Sequence, residues 1–204
     1  MVHKRTVYYI SNWTVLRGLV AHPAARERTS GNRGFGSTAG RELESEKEPA
    51  MKWITRERAR VDRIACPWLI SRFIDPQPEF LYVPADQVLA EAATQEAIPY
   101  DIPNVELGHK GPLCSFDALM DKYGLLGTDP ALESLARIVR GADTADKDLT
   151  PESRGLDAIA GGFQQMGLSD HEKLEKEFPV YDALYVYCGG TLPIRPPARK
   201  EVTV

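Results

Sequence analysis

Two strand patterns enclose a helix pattern between residues 52 and 84, and this order constrains the fold more than any other part of the sequence. Lys52–Thr55 and Glu79–Val83 each have the composition of a short strand. Four apolar residues between them recur at helical spacing: Trp68, Leu69, Phe73 and Ile74. The sequence therefore predicts a strand, an amphipathic helix and a second strand at the start of the folded region.

Pro67 decides where this helix begins. A proline in a helix interior costs about 3 kcal/mol, whereas the first turn accepts it readily. We therefore predict a helix start at Pro67, which leaves Cys66 at or beside the N-cap. There the helix dipole and free backbone N–H groups would favour a thiolate and could hold an oxyanion. Two interpretations of Cys66 stay open: a small buried residue beside Trp68, or a reactive, catalytic thiol.

The rest of the chain is mainly helical. Helix patterns cover four further segments: 85–95, 115–123, 130–139 and 151–166. Asp129 and Pro130 form an N-cap and N1 pair, and Gly141 has the position of a C′ glycine. Asp170 caps a last helix, which we expect Pro179 to interrupt. The predicted fold class is α+β, a predominantly helical single domain with a small early sheet.

Composition divides the chain into three segments. Residues 1–50 are expected to be a poorly ordered N-terminal extension, because glycine and charged residues dominate its second half. Residues 51–190 form the folded domain, and residues 191–204 form a proline-rich tail.

The bulk properties predict a soluble cytoplasmic protein. Three cysteines are too few, and odd in number, for a secreted disulfide framework. No segment approaches the roughly 20 apolar residues that cross a bilayer, so no membrane partner is expected. The net charge of −4 argues against nonspecific nucleic-acid binding. GxGxxG, P-loop, GxSxG and HExxH motifs are absent from the sequence, which excludes the usual signatures of nucleotide cofactors and serine hydrolases.

A glycine-flanked loop carries four side chains of three metal-ligand types: Glu106, His109, Cys114 and Asp117. This mixture suits zinc, iron or a similar transition metal rather than calcium. Asp143, in the turn after a helix pattern, is a candidate for a distant partner of His109, either as a metal ligand or as a hydrogen-bond acceptor. The spacing matches no paired CxxC template, so a second interpretation stays open. It takes these residues as a loop histidine, a buried cysteine and capping carboxylates.

Three arginines lie just before Cys66: Arg58, Arg60 and Arg63. The planar guanidinium group suits tetrahedral oxyanions, so these side chains are candidates for binding a small dianion. Ordinary ion pairs with Asp62 or neighbouring acids are the alternative. One hypothesis joins the clusters in a single pocket that contains Cys66, the His109 loop and Asp143.

Four motifs occur in an order that resembles the C-terminal domain of the chromate resistance protein B (ChrB) family. They are KWITRERARVDRIACPWLISRFIDP, VELGHKGPLCSFDALMDKYGL, RIVRGADT and PVYDALYVY. The resemblance covers residues 51–190 approximately. It implies a role in bacterial chromate resistance, where full-length members act as chromate-responsive regulators of a chromate efflux operon. It brings no assigned catalytic residues.

From this resemblance we expect a domain that senses or binds a chromate-type oxyanion, a metal ion, or both. Direct DNA binding is not expected without the long N-terminal region of the full-length regulators. Two alternatives stay open, a metal- or thiol-dependent enzyme (a chromate reductase, hydrolase or oxidoreductase) and a regulatory module for the efflux operon. A homodimer also stays open.

Overall fold

The computed structural model describes residues 50–193. The expected N-terminal extension lies outside the described residues apart from residue 50, and so does most of the proline-rich tail, residues 194–204. Within the described range, no helix is both long and apolar enough to cross a membrane.

A three-stranded parallel sheet forms first along the chain. Its strands are β1 (Lys52–Arg56), β2 (Glu79–Val83) and β3 (Ile98–Pro99). They lie in the order β2-β1-β3, so that Ile54 of β1 pairs with Leu81 on one side and Pro99 on the other. The three central residues of β1 are buried, as expected for the middle strand of a parallel sheet covered on both faces. Both predicted strands are confirmed.

Six α-helices make up about half of the described chain. They are α1 (Asp62–Leu69), α2 (Val88–Gln95), α3 (Ser115–Lys122), α4 (Pro130–Asp143), α5 (Pro151–Gln165) and α6 (Asp170–Tyr187). The main hydrophobic core joins β1 with α1, α3, α4 and α6 through large buried side chains, among them Trp53, Trp68, Phe116, Leu135 and Tyr181. This architecture confirms the α+β prediction of helices with a small early sheet.

The predicted helix start at Pro67 is wrong, because α1 already begins at Asp62. Pro67 lies inside the helix and lacks the N–H that would bond the Arg63 carbonyl. The hydroxyl of Tyr82 on β2 donates to that carbonyl at 2.8 Å instead. A partner from the sheet therefore offsets the lost backbone bond, and a π-helical turn over Ile70–Ile74 follows α1.

α4 begins as predicted and ends later than predicted. The Asp129 carboxylate caps the helix by accepting the Ala131 N–H at 2.8 Å. The helix continues through Gly141 to Asp143, so the predicted C′ role of Gly141 is wrong. Gly141 instead faces Ser153 of α5, where an added Cβ would lie 2.8 Å from the serine Cβ. The glycine is thus a point of close approach between two helices.

α6 runs from Asp170 to Tyr187 through Pro179, so the predicted interruption is also wrong. Ser169 and Glu172 cap its start with a capping box. Its buried face carries charged as well as apolar residues: Lys173, Leu174, Glu177, Tyr181 and Tyr185.

Glu177 makes the stability of this fold depend on pH. Its side chain is buried, and within the described chain Oε2 has no hydrogen-bond partner. Burial, opposed by the charge of Lys173, raises the pKa of Glu177 from 4.5 to about 7. Between these values the folded state keeps a proton that the unfolded state has lost, so this group destabilises the fold as pH rises.

Glu177→Gln is therefore expected to raise the free energy of unfolding at pH 8 by about 1–3 kcal/mol, with a much smaller effect at pH 4. Urea unfolding at the two pH values measures the difference. Glu175→Gln, at an exposed position of the same helix, is the control and should leave both values within about 0.5 kcal/mol of wild type. Equal pH dependence in wild type and Glu177→Gln would contradict the assignment.

Candidate metal centre

Four side chains from separate parts of the chain converge on one point. They are Asp62, Asp101, His109 and Asp143, and one ligand atom from each lies within 4.8 Å of all the others. Asp62 is the first residue of α1 and Asp143 the last residue of α4. Asp101 follows β3, and His109 lies in the loop between β3 and α3. We call this set of three aspartates and one histidine the carboxylate–histidine cluster.

A tightly folded loop brings Asp101 and His109 together. Asp101 has a φ of 50°, a left-handed conformation that is uncommon for residues other than glycine. Its N–H donates to the Leu107 carbonyl at 3.1 Å, which closes the loop. Gly108 sits so close to the Ile102 carbonyl oxygen that an added Cβ would lie 2.5 Å from it. The glycine before His109 therefore allows the closure that places the imidazole opposite Asp101.

The distances around His109 fit a coordination site better than a hydrogen-bonded one. Its Nε2 lies 3.5 Å from Asp62 Oδ2, 3.3 Å from Asp101 Oδ1 and 3.1 Å from Asp143 Oδ2. A single N–H can serve one of these oxygens well, and a charge-assisted bond of this type is usually about 2.7–2.9 Å. Four ligands at zinc bond lengths of about 2.0–2.2 Å in a tetrahedron would lie roughly 3.4 Å apart. The observed nitrogen–oxygen separations match that spacing.

The cluster is buried on one side and open on the other. Asp62 and Asp101 are 1% and 3% exposed, whereas the side chains of His109 and Asp143 are 40% and 20% exposed. Arg63 pairs with Asp101 Oδ2 at 2.8 Å, and Arg56 lies 3.6 Å from the same oxygen. Asp62 Oδ1 is buried and has no hydrogen-bond partner among the described residues. A buried carboxylate oxygen in this state is costly unless a cation or a donor satisfies it.

The surroundings shift the pKa values of three members of the cluster, and not all in the same direction. The neighbouring carboxylates of Asp101, Asp143 and Asp62 raise the pKa of His109 to about 12. Burial, and then the charge of Asp143, raises the pKa of Asp62 to about 7. For Asp101 the effect of burial is outweighed by His109 and Arg63, and its pKa is lowered. Without a cation, Asp62 thus keeps its proton up to about pH 7, and a bound cation would favour its ionised form.

Two of the predicted metal ligands, His109 and Asp143, belong to this cluster, and three lie outside it. Glu106 is exposed and pairs with Lys122 at 2.8 Å. Cys114 is buried at the N-cap of α3, where burial raises the pKa of its thiol. Asp117 accepts the Cys114 N–H at 3.0 Å and binds Arg140 through both oxygens, at 2.6 and 2.8 Å. Cys114 and Asp117 thus cap α3, in line with the interpretation that takes them as a buried cysteine and a capping carboxylate.

The three arginines predicted to bind an anion take separate positions. Arg63 pairs with Asp101, and Arg60 pairs with Asp157 at 2.5 Å. Arg58 is exposed and has a φ of 63°. Two of the three guanidinium groups are therefore already engaged with carboxylates.

Cys66 lies inside α1 and is fully buried. Burial, and then the charges of Asp62 and Asp101, raises the pKa of its thiol well above the ordinary value. The interpretation of Cys66 as a reactive thiol required the opposite shift, because a position at the helix start would favour the thiolate.

Asp62 and Asp101 complete the cluster without having been predicted as ligands. With α1 starting at Asp62, this carboxylate stands at a helix N-terminus, a signal that the misplaced start at Pro67 concealed. Asp101 stands two residues after a proline and two before another. This pattern is typical of irregular extended backbone and gives no indication of ligand binding.

Comparison with known proteins identifies the family. The sequence profile of the ChrB C-terminal domain matches residues 53–188, a range that contains the whole cluster. The chain belongs to this family. A ChrB relative, Protein ChrB of Cupriavidus metallidurans, is 30% identical over 136 residues. This match covers 67% of the chain and 40% of the relative, so the chain corresponds to about two fifths of that ChrB protein. No solved structure matches the chain.

Proposed function

We propose that this ChrB-type domain acts in chromate resistance by holding one divalent transition-metal ion in the carboxylate–histidine cluster. The observation that supports this most is the position of His109 Nε2, 3.1–3.5 Å from oxygens of three different carboxylates. An ion held by these four side chains would have to take a fifth ligand, on the side of the cluster that faces solvent, to bind an oxyanion of the chromate type. We further propose a cytoplasmic location, in keeping with three free cysteines in the described chain.

The ligand chemistry favours a first-row transition metal. Carboxylates suit magnesium, calcium and manganese, whereas imidazole suits zinc, iron, copper and nickel. Three carboxylates with one imidazole therefore fit ions that accept both donors, such as Zn²⁺, Fe²⁺ and Mn²⁺. Cys66 and Cys114 are not part of this proposal, because both sulfurs are buried and the pKa values of both thiols are raised.

The charges around the cluster indicate that the metal ion binds before the oxyanion. Asp62, Asp101 and Asp143 surround Nε2 of a single imidazole, so an arriving dianion would meet carboxyl oxygens at this point as long as no metal is present. Exchange of the His109 proton for a divalent ion adds one positive charge. Arg63 and Arg56 stay beside Asp101, at 2.8 and 3.6 Å. Oxyanion binding is therefore expected to depend on the metal.

The open side of the cluster gives the oxyanion access. His109 and Asp143 face solvent, whereas Asp62 and Asp101 close the opposite side. An anion arriving from solvent would thus meet the ion between the imidazole and the Asp143 carboxylate.

Calorimetric titration of the metal-free protein with zinc, manganese and anaerobic ferrous ion tests the metal site. One ion per chain is expected for at least one of these metals. Asp62→Asn and Asp143→Asn should each lower the metal affinity by about 100-fold or more. The loss of a residue that only orients a ligand typically lowers metal affinity by about 10–100-fold. Asp146→Asn, an exposed acid near Asp143, is the control and should bind like wild type. Binding that survives both cluster variants would refute the site.

Titration with chromate, with and without the metal, tests the functional part. We expect saturable binding to the metal-loaded protein and none to the metal-free protein or to Asp143→Asn. Equal chromate binding in the presence and absence of metal would contradict the proposed order.

A further inference from the structure

Ser115 joins two of the three carboxylates of the cluster. It is the first residue of α3 and is fully buried. Its backbone N–H donates to Asp62 Oδ2 at 2.6 Å, and its hydroxyl donates to Asp101 Oδ1 at 3.1 Å. These are the same two oxygens that lie 3.5 and 3.3 Å from His109 Nε2. One residue therefore fixes the atoms of both carboxylates that face the imidazole.

The start of α3 leaves Ser115 available for this task. The capping box of the helix is made by Cys114 and Asp117, so the Ser115 hydroxyl is not needed as a cap. The N–H groups of a first helical turn have no partner within the helix and attract negative charge. Asp62, from another helix, supplies the acceptor for the Ser115 N–H.

A second contact links the start of α3 to α4, the helix that carries the third carboxylate, Asp143. Asp117 of α3 binds Arg140 of α4 through both of its oxygens, at 2.6 and 2.8 Å. Arg140 lies one helical turn before Asp143, the last residue of α4. The start of α3 is thus tied to all three elements that carry the carboxylates.

We propose that Ser115 is a positioning residue, which orients Asp62 and Asp101 so that both present an oxygen to the same metal ion. The inference rests on the proposed metal site. Groups that orient metal ligands by hydrogen bonds usually contribute 10–100-fold to metal affinity. Each carboxylate oxygen held by Ser115 still has a lone pair for the ion.

Ser115→Ala removes the hydroxyl and keeps the backbone N–H. It is expected to weaken binding of zinc by about 10–100-fold. It should also change the visible absorption spectrum of the Co²⁺-loaded protein, which reports coordination geometry. Ser153→Ala is the matched control, because Ser153 is equally buried and its hydroxyl donates to the Ile138 carbonyl at 3.0 Å. It is expected to lose stability while keeping wild-type zinc affinity and the wild-type Co²⁺ spectrum.

Ser115→Thr and Ser115→Val provide a second comparison if the alanine variant does not fold. The two side chains have nearly the same shape, and only threonine keeps the donor to Asp101. The threonine variant should bind zinc more tightly than the valine variant, by about 10-fold or more. Wild-type affinity and spectrum in Ser115→Ala, or equal affinity in the threonine and valine variants, would overturn the positioning role and leave the metal site standing. Absence of metal binding by the wild-type protein would overturn both.

Discussion

Gly141→Ala is expected to lower the free energy of unfolding by about 3 kcal/mol, with a fall in Tm of roughly 6–12 °C. The added Cβ would lie 2.8 Å from Ser153 Cβ and closer still to its hydroxyl oxygen, and 3.1 Å from Leu149 Cβ. Ser153 cannot easily move away, because it is buried and bonded to the Ile138 carbonyl. The substitution must therefore push α4 and α5 apart.

Gly155→Ala provides the matched control for this prediction. Gly155 also lies inside a helix, but an added Cβ there would meet no atom within 4 Å. Alanine should stabilise that helix by up to about 1 kcal/mol, since glycine is the poorer helix former. Chemical unfolding of both variants gives the comparison. A similar effect of the two substitutions would contradict the close approach of α4 and α5.

Asp170→Ala is expected to destabilise the protein by about 2–4 kcal/mol. The Asp170 carboxylate accepts the N–H groups of Arg58 and Ala59 at 2.8 and 2.6 Å. It also binds the ammonium of Lys173 at 3.0 Å, and the Lys173 side chain is almost completely buried. Removal of the carboxylate would leave a buried cation and two backbone donors without their acceptor.

The same substitution should affect the metal centre. The loop that Asp170 holds connects β1 to α1, and its Arg58 has a φ of 63°. Asp62 begins α1 directly after this loop. We expect weaker zinc binding together with the loss of stability. Glu175→Ala, at an exposed position of α6, should change neither quantity, and a stable Asp170→Ala variant with wild-type zinc affinity would show that the loop holds its shape unaided.

Local patterns predicted most of the secondary structure because they act over a few residues. Strand composition located β1 and β2, and the Asp129–Pro130 pair located the start of α4. The exceptions depend on contacts distant in sequence. Pro67 is tolerated inside α1 since Tyr82 of β2 bonds the carbonyl that the proline leaves free. A glycine is required at position 141 because Ser153 of α5 comes so close, and not because of the conformation of its own backbone.

The residues of the candidate site likewise divide into those that residue type predicted and those whose roles depend on the tertiary fold. His109 and Asp143 were predicted as partners from residue type, and the fold brings them to 3.1 Å. Asp62 and Asp101 could not be assigned, since their roles follow from where α1 starts and how the loop after β3 closes. Residue type alone also favoured Cys114 and Asp117, which the fold uses to cap α3. Sequence patterns identify potential ligands, and only the tertiary fold selects among them.

Anomalous diffraction from crystals of the zinc-loaded protein, recorded on both sides of the zinc absorption edge, tests the central claim most directly. We predict one strong peak per chain, with Asp62, Asp101, His109 and Asp143 as its protein ligands at about 2.0–2.2 Å. A zinc-saturated crystal with no peak at the cluster, or with its peak on ligands that exclude His109 and Asp143, would contradict the account.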